Sequence, residues 1–260
     1  IMTINDLSDY ESIWREPVKF KYKDYDIISM SFPSSGGILL GQMMKAIEKF
    51  DLSKIPHNSA EYIQLLTEIE RRAFADRSDL MGDPDFMNLP VYEFMDEEYI
   101  EDRMKSFSWE EATPSSEIKP GEVIFNESDE TTHFSIIDKN GNAVSVTTTL
   151  NNSFGSKVYV ENSGFFLNNE MDDFSSKPGF PNFFGVLGSE ANSIQPGKRM
   201  LSAMTPTIVL KNNKPKLILG SPGGPSIITS VFQTILNVIE YEMDVNEAVS
   251  APRFHHQWYP

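Results

Sequence analysis

A threonine stands where an acidic, turn-rich segment meets a strand pattern. Residues 126–130 read Asn-Glu-Ser-Asp-Glu, and a strand pattern begins directly after Thr131. If the chain is cut between Glu130 and Thr131, Thr131 gains an α-amino group whose pKa of roughly 7.7–8.0 leaves part of it neutral near neutral pH. That amine can accept the proton of the residue's own hydroxyl, so one residue serves as nucleophile and base. A threonine that only starts a strand fits the same local pattern, so other motifs must decide between a nucleophile and an ordinary strand residue.

A glycine pair after an apolar strand pattern is a candidate oxyanion hole. The stretch Gly220-Ser221-Pro222-Gly223-Gly224 follows Leu217-Ile218-Leu219 and precedes a helical pattern that starts near Ser226. Two adjacent glycines let consecutive backbone N–H groups converge on one point, as a developing oxyanion requires. An ordinary glycine turn is the alternative interpretation.

Two acids and an amide follow predicted strands and could gather in a pocket. Asn151, Glu170 and Asp173 all lie just past strand patterns. Carboxylates and an amide oxygen suit recognition of a substrate ammonium group. Surface caps and turns would use the same residue types, so this interpretation stays open at this point.

Composition excludes several other chemistries. The 260 residues carry 22 basic and 38 acidic side chains, a net charge of −16, which argues against nucleic acid and anionic membranes as partners. The absence of cysteine excludes disulfide scaffolds, thiolate zinc sites and cysteine nucleophiles. Adjacent His255 and His256 would point in different directions, so no shared metal is expected. No nucleotide-binding glycine motif occurs, and no cofactor is expected.

Apolar spacing and turn residues predict an α+β fold. Helices are predicted over 37–50, over 59–80 with Ser59 as the N-cap, and over 226–243, and Asp244 with Glu247 resembles a capping pair for a last short helix. Strands are predicted over 25–30, 132–137, 143–150, 164–167, 205–211 and 215–220. The Asn140-Gly141 pair predicts a hairpin, and the first residues read as an extended region. The long segment 172–195, rich in Gly, Pro, Asn, Ser and Phe, is expected to be functional or mobile.

Together these motifs resemble the gamma-glutamyltranspeptidases, a family of the N-terminal-nucleophile hydrolase superfamily. The resemblance covers essentially all 260 residues in order and rests on several stretches at once. The matching stretches are Pro33-Ser34-Ser35-Gly36-Gly37, Ala75-Asp76-Arg77-Ser78, Thr131-Thr132-His133-Phe134-Ser135, Gly141-Asn142-Ala143-Val144, residues 167–175 (Leu-Asn-Asn-Glu-Met-Asp-Asp-Phe-Ser), Gly220-Ser221-Pro222-Gly223-Gly224 and residues 251–258 (Ala-Pro-Arg-Phe-His-His-Gln-Trp).

The resemblance implies an αββα sandwich of stacked antiparallel sheets with helices outside. It also implies a precursor that cuts itself between Glu130 and Thr131, so that 1–130 is part of a large subunit and 131–260 most of a small one. The expected activity moves a γ-glutamyl group from glutathione or a related γ-glutamyl compound to water or to the amine of an amino acid or dipeptide. By motif position, the implied roles are nucleophile for Thr131, tuning hydrogen bond for Thr149, oxyanion hole for Gly223 and Gly224, α-amino recognition for Asn151, Glu170 and Asp173, and α-carboxylate contact for Ser202.

The chain departs from the family pattern at several points. The motif with the family's carboxylate-binding arginine is not in these residues, which is expected of a fragment that starts inside the large subunit. Ala203 stands where many relatives have a second serine. Phe184 stands where several bacterial relatives have a lid tyrosine, within a candidate lid loop over 176–193. Bacterial relatives are usually periplasmic or secreted, so the same localisation is expected.

Two alternatives to this function remain. A cephalosporin-acylase-like amidase would keep the nucleophile and the glycine pair but relax the ammonium-binding acids Glu170 and Asp173, and both acids are present. A non-catalytic homologue would be expected to lose Thr131 or Thr149, and both threonines are present.

Overall fold

Helices and antiparallel strands follow one another in separate runs along the computed structural model, which describes residues 3–118 and 131–259. Within those residues the helices are α1 (Ile4–Ser8), α2 (Gly36–Ile47), α3 (Ala60–Leu80), α4 (Glu97–Met104), α5 (Ser226–Ile239) and α6 (Val245–Ser250). The strands are β1 (Val18–Tyr22), β2 (Tyr25–Ser29), β3 (Thr132–Ile137), β4 (Ala143–Thr148), β5 (Tyr159–Val160), β6 (Phe165–Phe166), β7 (Thr207–Lys211) and β8 (Lys214–Leu219).

A four-stranded sheet in the order β1-β2-β7-β8 forms the centre of the fold. All three neighbouring pairs of strands are antiparallel. Helix α2 packs on β1 and β2, and α3 and α5 pack on α2. Their side chains form one buried core, to which Ile27 and Val209 contribute from the sheet and Leu39 and Phe232 from the helices. This burial excludes water from one face of the sheet and stabilises the packing of the helices on it.

The β3–β4 hairpin forms a further layer on β7 and β8. The turn between its strands uses Gly141 at φ 86°, and the Asp138 carboxylate accepts hydrogen bonds from the backbone N–H groups of Asn140 and Asn142. The Ser135 hydroxyl donates to the Ile218 carbonyl at 2.9 Å, which ties the hairpin to β8. Helices, four-stranded sheet and hairpin therefore lie in succession, and the α+β class is confirmed.

Most of the predicted elements are present with shifted ends. The Ser59 hydroxyl accepts from the backbone N–H of Tyr62 as predicted for an N-cap, and Asp244 and Glu247 form the predicted capping box. Helices α2 and α5 end at Ile47 and Ile239, three and four residues earlier than predicted.

Other predictions were incomplete or wrong. Residues 4–8 form a helix and not an extended segment, because Thr3 and Asp6 cap it reciprocally. Strand β1, which pairs along all of β2, was missed as a separate strand. Helix α4 was missed because Ile100 is its only buried residue, so the sequence shows no apolar stripe.

The segment over 172–195 has little regular structure but is tied down at several points. Single bridges join Ser175 to Ser193 and Pro181 to Leu187. The Asn192 side chain donates to the Asp173 carbonyl at 2.7 Å and accepts from the Leu201 N–H at 3.0 Å. These contacts hold the loop against the residues that precede β7. Among the described helices, none is long and apolar enough to cross a membrane.

Candidate active site

The pairing of the β3–β4 hairpin brings Thr131 and Thr149 together. Thr132 lies opposite Thr148 in the antiparallel register, so the residues just beyond them are neighbours. The Thr131 hydroxyl donates to the Thr149 hydroxyl oxygen at 3.4 Å, and the Asn151 N–H donates to the same oxygen at 2.9 Å. The contact that the resemblance implied between these two threonines is present, and the backbone of Asn151 orients it.

Thr131 and Thr149 line a narrow cavity, which we call the inner cavity. Its volume is about 30 Å³, which is room for one or two water molecules. A group larger than this therefore enters only when the lining shifts. The residues that line it are Arg77, Thr131, Thr149, Asn151, Asp173, Asn182, Phe184, Val186, Leu201, Ser202, Ala203, Met204, Gly224, Pro225 and Ile227.

Two side chains of opposite charge, Asp173 and Arg77, line the inner cavity. Burial raises the pKa of Asp173 to about 7, although the positive charge of Arg77 opposes that rise. Burial lowers the pKa of Arg77 to about 10, and the charge of Asp173 opposes that fall. The Asp173 carboxylate can therefore attract an ammonium group, and the Arg77 guanidinium can attract a carboxylate. An α-amino acid carries both groups.

Arg77 is the site residue that the sequence analysis missed. Its guanidinium is buried, and its Nε donates to the Ser35 hydroxyl at 2.9 Å. The Ser35 hydroxyl in turn donates to the backbone carbonyl of Ser202 at 3.0 Å, so Ser35 connects Arg77 to Ser202, and both of these residues line the cavity. Its position on α3 could have indicated a role. Arg77 follows Ala73 by four residues and so lies on the apolar face of that helix, where a charged side chain without a partner is energetically costly.

The glycine turn before α5 leaves its N–H groups available. Gly223 and Gly224 have φ angles of 127° and 50°, which favour glycine. Their carbonyls accept from the first turn of α5, at 2.9 Å from the Ser226 N–H and at 3.2 Å from the Ile227 N–H. Within residues 3–118 and 131–259, neither glycine N–H donates to another group. Gly224 lines the inner cavity, while Gly223 lines a second cavity that also contains Thr131.

Phe184 covers Gly224 and is anchored from the C-terminal segment. A Cβ atom on Gly224 would lie 2.8 Å from Cδ1 of the Phe184 ring, so a side chain there would collide with it. The Gln257 Nε2 donates to the Phe184 carbonyl at 3.0 Å, and both residues are buried. The Gln257 Oε1 lies 3.0 Å from Nε2 of His255, whose Nδ1 lies 2.9 Å from the Thr229 hydroxyl. Helix α5 and the covering ring are thus joined by hydrogen-bonded side chains.

The structure gathers most of the predicted site residues in one place. Thr131, Thr149, Asn151, Asp173, Ser202 and Gly224 line the inner cavity, and Gly223 lines the adjoining one.

The two remaining predicted site residues are Glu170 and Glu130. Glu170 occupies the same short 3-10 turn as Asp173, and burial raises its pKa, but it is not among the residues that line the inner cavity. Glu130 lies outside the described residues, and the division into 1–130 and 131–260 stays a prediction. No cluster of His, Asp and Glu suited to a metal ion occurs in the described ranges.

Comparison with known proteins gives a family match over the full chain. A family model described as gamma-glutamyltranspeptidase matches residues 1–260. A "Glutathione hydrolase proenzyme" of Escherichia coli is 47% identical over 260 residues, which is 100% of this chain and 45% of that protein. A protein of the same description from Pseudomonas aeruginosa is 47% identical over 262 residues, 100% of this chain and 46% of that protein. The chain therefore spans about half the length of the curated relatives it matches.

A solved structure shares the fold. The cephalosporin acylase from Bacillus halodurans superposes with a TM-score of 0.75, at 22% sequence identity, over 97% of this chain and 42% of that one. At this identity the match describes the architecture alone.

Proposed function

Because the chain belongs to the gamma-glutamyltranspeptidase family, we propose that it forms the reactive part of a self-cleaving enzyme that moves γ-glutamyl groups. The observation that carries this proposal is the inner cavity, where the Thr131 hydroxyl shares one lining with Asp173 and Arg77. A γ-glutamyl compound presents an ammonium group, a carboxylate and, a few bonds away, an amide carbonyl. Glutathione is the donor we propose first, with related γ-glutamyl amides as further donors.

The recognition step uses the charges of the cavity. Asp173 and Asn151 accept hydrogen bonds from the substrate ammonium, and Arg77 with Ser202 attracts the α-carboxylate. Ala203 offers no hydroxyl to the carboxylate, so the buried guanidinium of Arg77 carries more of this interaction. We assign Glu170 a supporting electrostatic role, because it lies beside Asp173 but outside the lining of the cavity.

The chemical step follows from the position of Thr131. Cleavage before Thr131 frees its α-amine, which accepts the hydroxyl proton while Oγ1 attacks the γ-carbonyl carbon. The N–H groups of Gly223 and Gly224 meet the negative charge that develops on the carbonyl oxygen; removal of one such donor typically costs about 10²–10³ in kcat. The C–N bond then breaks, the leaving amine takes the proton from the Thr131 amine, and a glutamyl ester on Thr131 remains. Water or an acceptor amine resolves that ester.

Turnover of γ-glutamyl-p-nitroanilide by the protein at its full natural length tests the proposal. We expect nitroaniline release by the unchanged protein, and neither release nor a second chain on a denaturing gel for Thr131→Ala. Thr67→Ala is the matched control, because the Thr67 hydroxyl donates to the carbonyls of Ile63 and Gln64 in its own helix α3; it should be cut and active. Two chains or nitroaniline release from Thr131→Ala would refute the assignment of the nucleophile.

The same assay separates the two alternatives. Cleavage into two chains without nitroaniline release would favour an acylase acting on another acyl group. A protein that is neither cut nor active would favour a non-catalytic homologue.

A further inference from the structure

Phe184, which covers Gly224, is held from outside its own loop by the side chain of Gln257. Phe184 lines the inner cavity and lies in the middle of the segment 172–195. Among the hydrogen bonds of the described residues, only the one from Gln257 Nε2 to the Phe184 carbonyl joins residues 180–187 to a part of the chain outside that segment. The position of the Phe184 ring therefore depends on the orientation of the Gln257 amide.

The hydrogen-bonding chemistry of His255 fixes that orientation. The Phe184 carbonyl can only accept, so the Gln257 Nε2 faces it and the Gln257 Oε1 faces Nε2 of His255 at 3.0 Å. An amide oxygen also only accepts, so Nε2 of His255 carries the proton of that contact. In the neutral ring, Nδ1 then accepts from the Thr229 hydroxyl, 2.9 Å away. Donors and acceptors therefore follow one direction, from the first turn of α5 to the segment that covers the cavity.

His255 is itself restrained by packing and by its neighbour in the chain. Its ring packs edge to face against buried Phe74 of α3, with the ring centroids 5.3 Å apart. The Gln233 Nε2 donates to the Phe254 carbonyl at 2.6 Å, and the Gln233 Oε1 accepts from the Phe254 N–H at 3.2 Å. These contacts fix the backbone that precedes the ring on α5. A restrained ring within a hydrogen-bonded network can orient the side chain to which it donates.

We propose that His255 is a positioning residue for donor binding, because through Gln257 it holds Phe184 in place as one wall of the inner cavity. This inference rests on the proposed function. His255 is not among the residues that line either cavity at Thr131, so it acts on the donor only through its neighbours. Loss of such a residue weakens the binding of substrate and transition state alike, which raises KM and leaves kcat in place.

Two amide substitutions of different reach test the proposal. The longer side chain in His255→Gln brings an amide N–H near the position of the imidazole Nε2, whereas the shorter one in His255→Asn extends only toward Thr229. With γ-glutamyl-p-nitroanilide and the protein at its full natural length, His255→Asn should raise KM about three- to tenfold, the range of one lost hydrogen bond, and change kcat less than about twofold. His255→Gln should keep KM within about twofold of that of the unchanged protein.

A double-mutant cycle shows whether His255 acts through Gln257. Gln257→Ala alone should raise KM to a similar extent, and adding His255→Asn to it should change KM less than about twofold, because the acceptor of the contact is already removed. His57→Phe is the matched control: Nε2 of His57 lies 2.9 Å from the Asn237 Oδ1, and His57 is not among the residues that line either cavity at Thr131. This variant loses a contact of the same kind and should keep the KM of the unchanged protein.

Nuclear magnetic resonance of the ring nitrogens tests the same contact without a substitution. In the unchanged protein with isotope-labelled histidine, the neutral ring of His255 should carry its proton on Nε2, because Gln257 Oε1 accepts it. This measurement keeps the proposal open to refutation if His255→Asn fails to fold or to be cut.

The outcomes separate this inference from the function on which it rests. Equal KM values for His255→Asn and the unchanged protein, with donor hydrolysis intact, would overturn the role of His255 alone, and so would a neutral ring with its proton on Nδ1. An equal rise in KM for His255→Asn and His255→Gln, or an undiminished effect of His255→Asn in the Gln257→Ala background, would overturn the route through Gln257. Absence of donor hydrolysis by the unchanged protein would refute the proposed function, and the inference with it.

Discussion

The charge of Asp173 should set the pH dependence of ligand binding in the inner cavity. Burial raises the pKa of this carboxyl group to about 7, so it changes charge in the range where the protein would be assayed. Only the ionised form attracts a substrate ammonium group. With a pKa of about 7, about nine-tenths of the group is ionised at about pH 8 and about one-tenth at about pH 6. The affinity for an α-amino acid should therefore fall about tenfold between these two pH values.

Competitive inhibition by L-glutamate measures this dependence directly. The free amino acid carries the ammonium and α-carboxylate of the donor but no scissile amide, and its own groups keep their charges over this range. We expect its inhibition constant to rise about tenfold from about pH 8 to about pH 6, with a midpoint near the pKa of Asp173. Arg77→Met should move that midpoint to higher pH, because the positive charge of Arg77 lowers the pKa of Asp173.

Asp173→Asn is the control that identifies the titrating group. It keeps the shape of the side chain but removes the ionisation, so inhibition should be weak and nearly independent of pH. The Thr131 α-amine titrates in a neighbouring range, and its contribution would remain in this variant. A constant inhibition constant in the unchanged protein, or a full tenfold dependence in Asp173→Asn, would refute the role assigned to Asp173.

Three further substitutions test the support of the site and of the fold. Thr149→Val removes the hydroxyl beside the nucleophile and should lower kcat about five- to tenfold with KM nearly unchanged. Thr149→Ser keeps a hydroxyl and should restore kcat; equal kcat values for the two variants would contradict the role of this hydroxyl. Gln257→Glu replaces the donor to the Phe184 carbonyl by an acceptor, so KM for the donor substrate should rise roughly tenfold above that of the unchanged protein. The ratio of the two KM values should shrink as the pH is lowered and the new carboxyl group is protonated; a ratio that is constant with pH would exclude this contact. Glu68→Ala leaves two buried arginines without their carboxylate and should lower the free energy of unfolding in urea by about 3–5 kcal/mol. Asp102→Ala, which breaks an exposed pair, should leave the urea midpoint in place, and equal effects of the two would contradict the burial argument.

The sequence was most informative where local chemistry determines structure. Ser59 predicted the start of α3 because a serine hydroxyl satisfies a free N–H at a helix N-terminus, and the structure shows that contact. The Asn140-Gly141 pair predicted the β3–β4 hairpin because glycine accepts a positive φ. That hairpin in turn places Thr131 beside Thr149, so the centre of the site follows from a local signal.

Features that depend on packing between distant segments could not be predicted from the sequence in the same way. Arg77 lies on a helix that the sequence predicts well, but its partners come from Ser35 and from the backbone of Leu201, far away in sequence. Glu170 and Asp173 both carry a carboxyl group and both follow a predicted strand, yet Asp173 lines the inner cavity and Glu170 does not. The two residues differ in their position along the 3-10 turn, and that position decides which side chain lies at the cavity.

The central claim is that Thr131 works as a new amino terminus, and N-terminal sequencing of the active protein tests it most directly. Purified protein that hydrolyses γ-glutamyl-p-nitroanilide should contain two chains, one of which begins Thr-Thr-His-Phe. An active preparation with a single uncut chain, or with a second chain that begins at any other residue, would contradict the account.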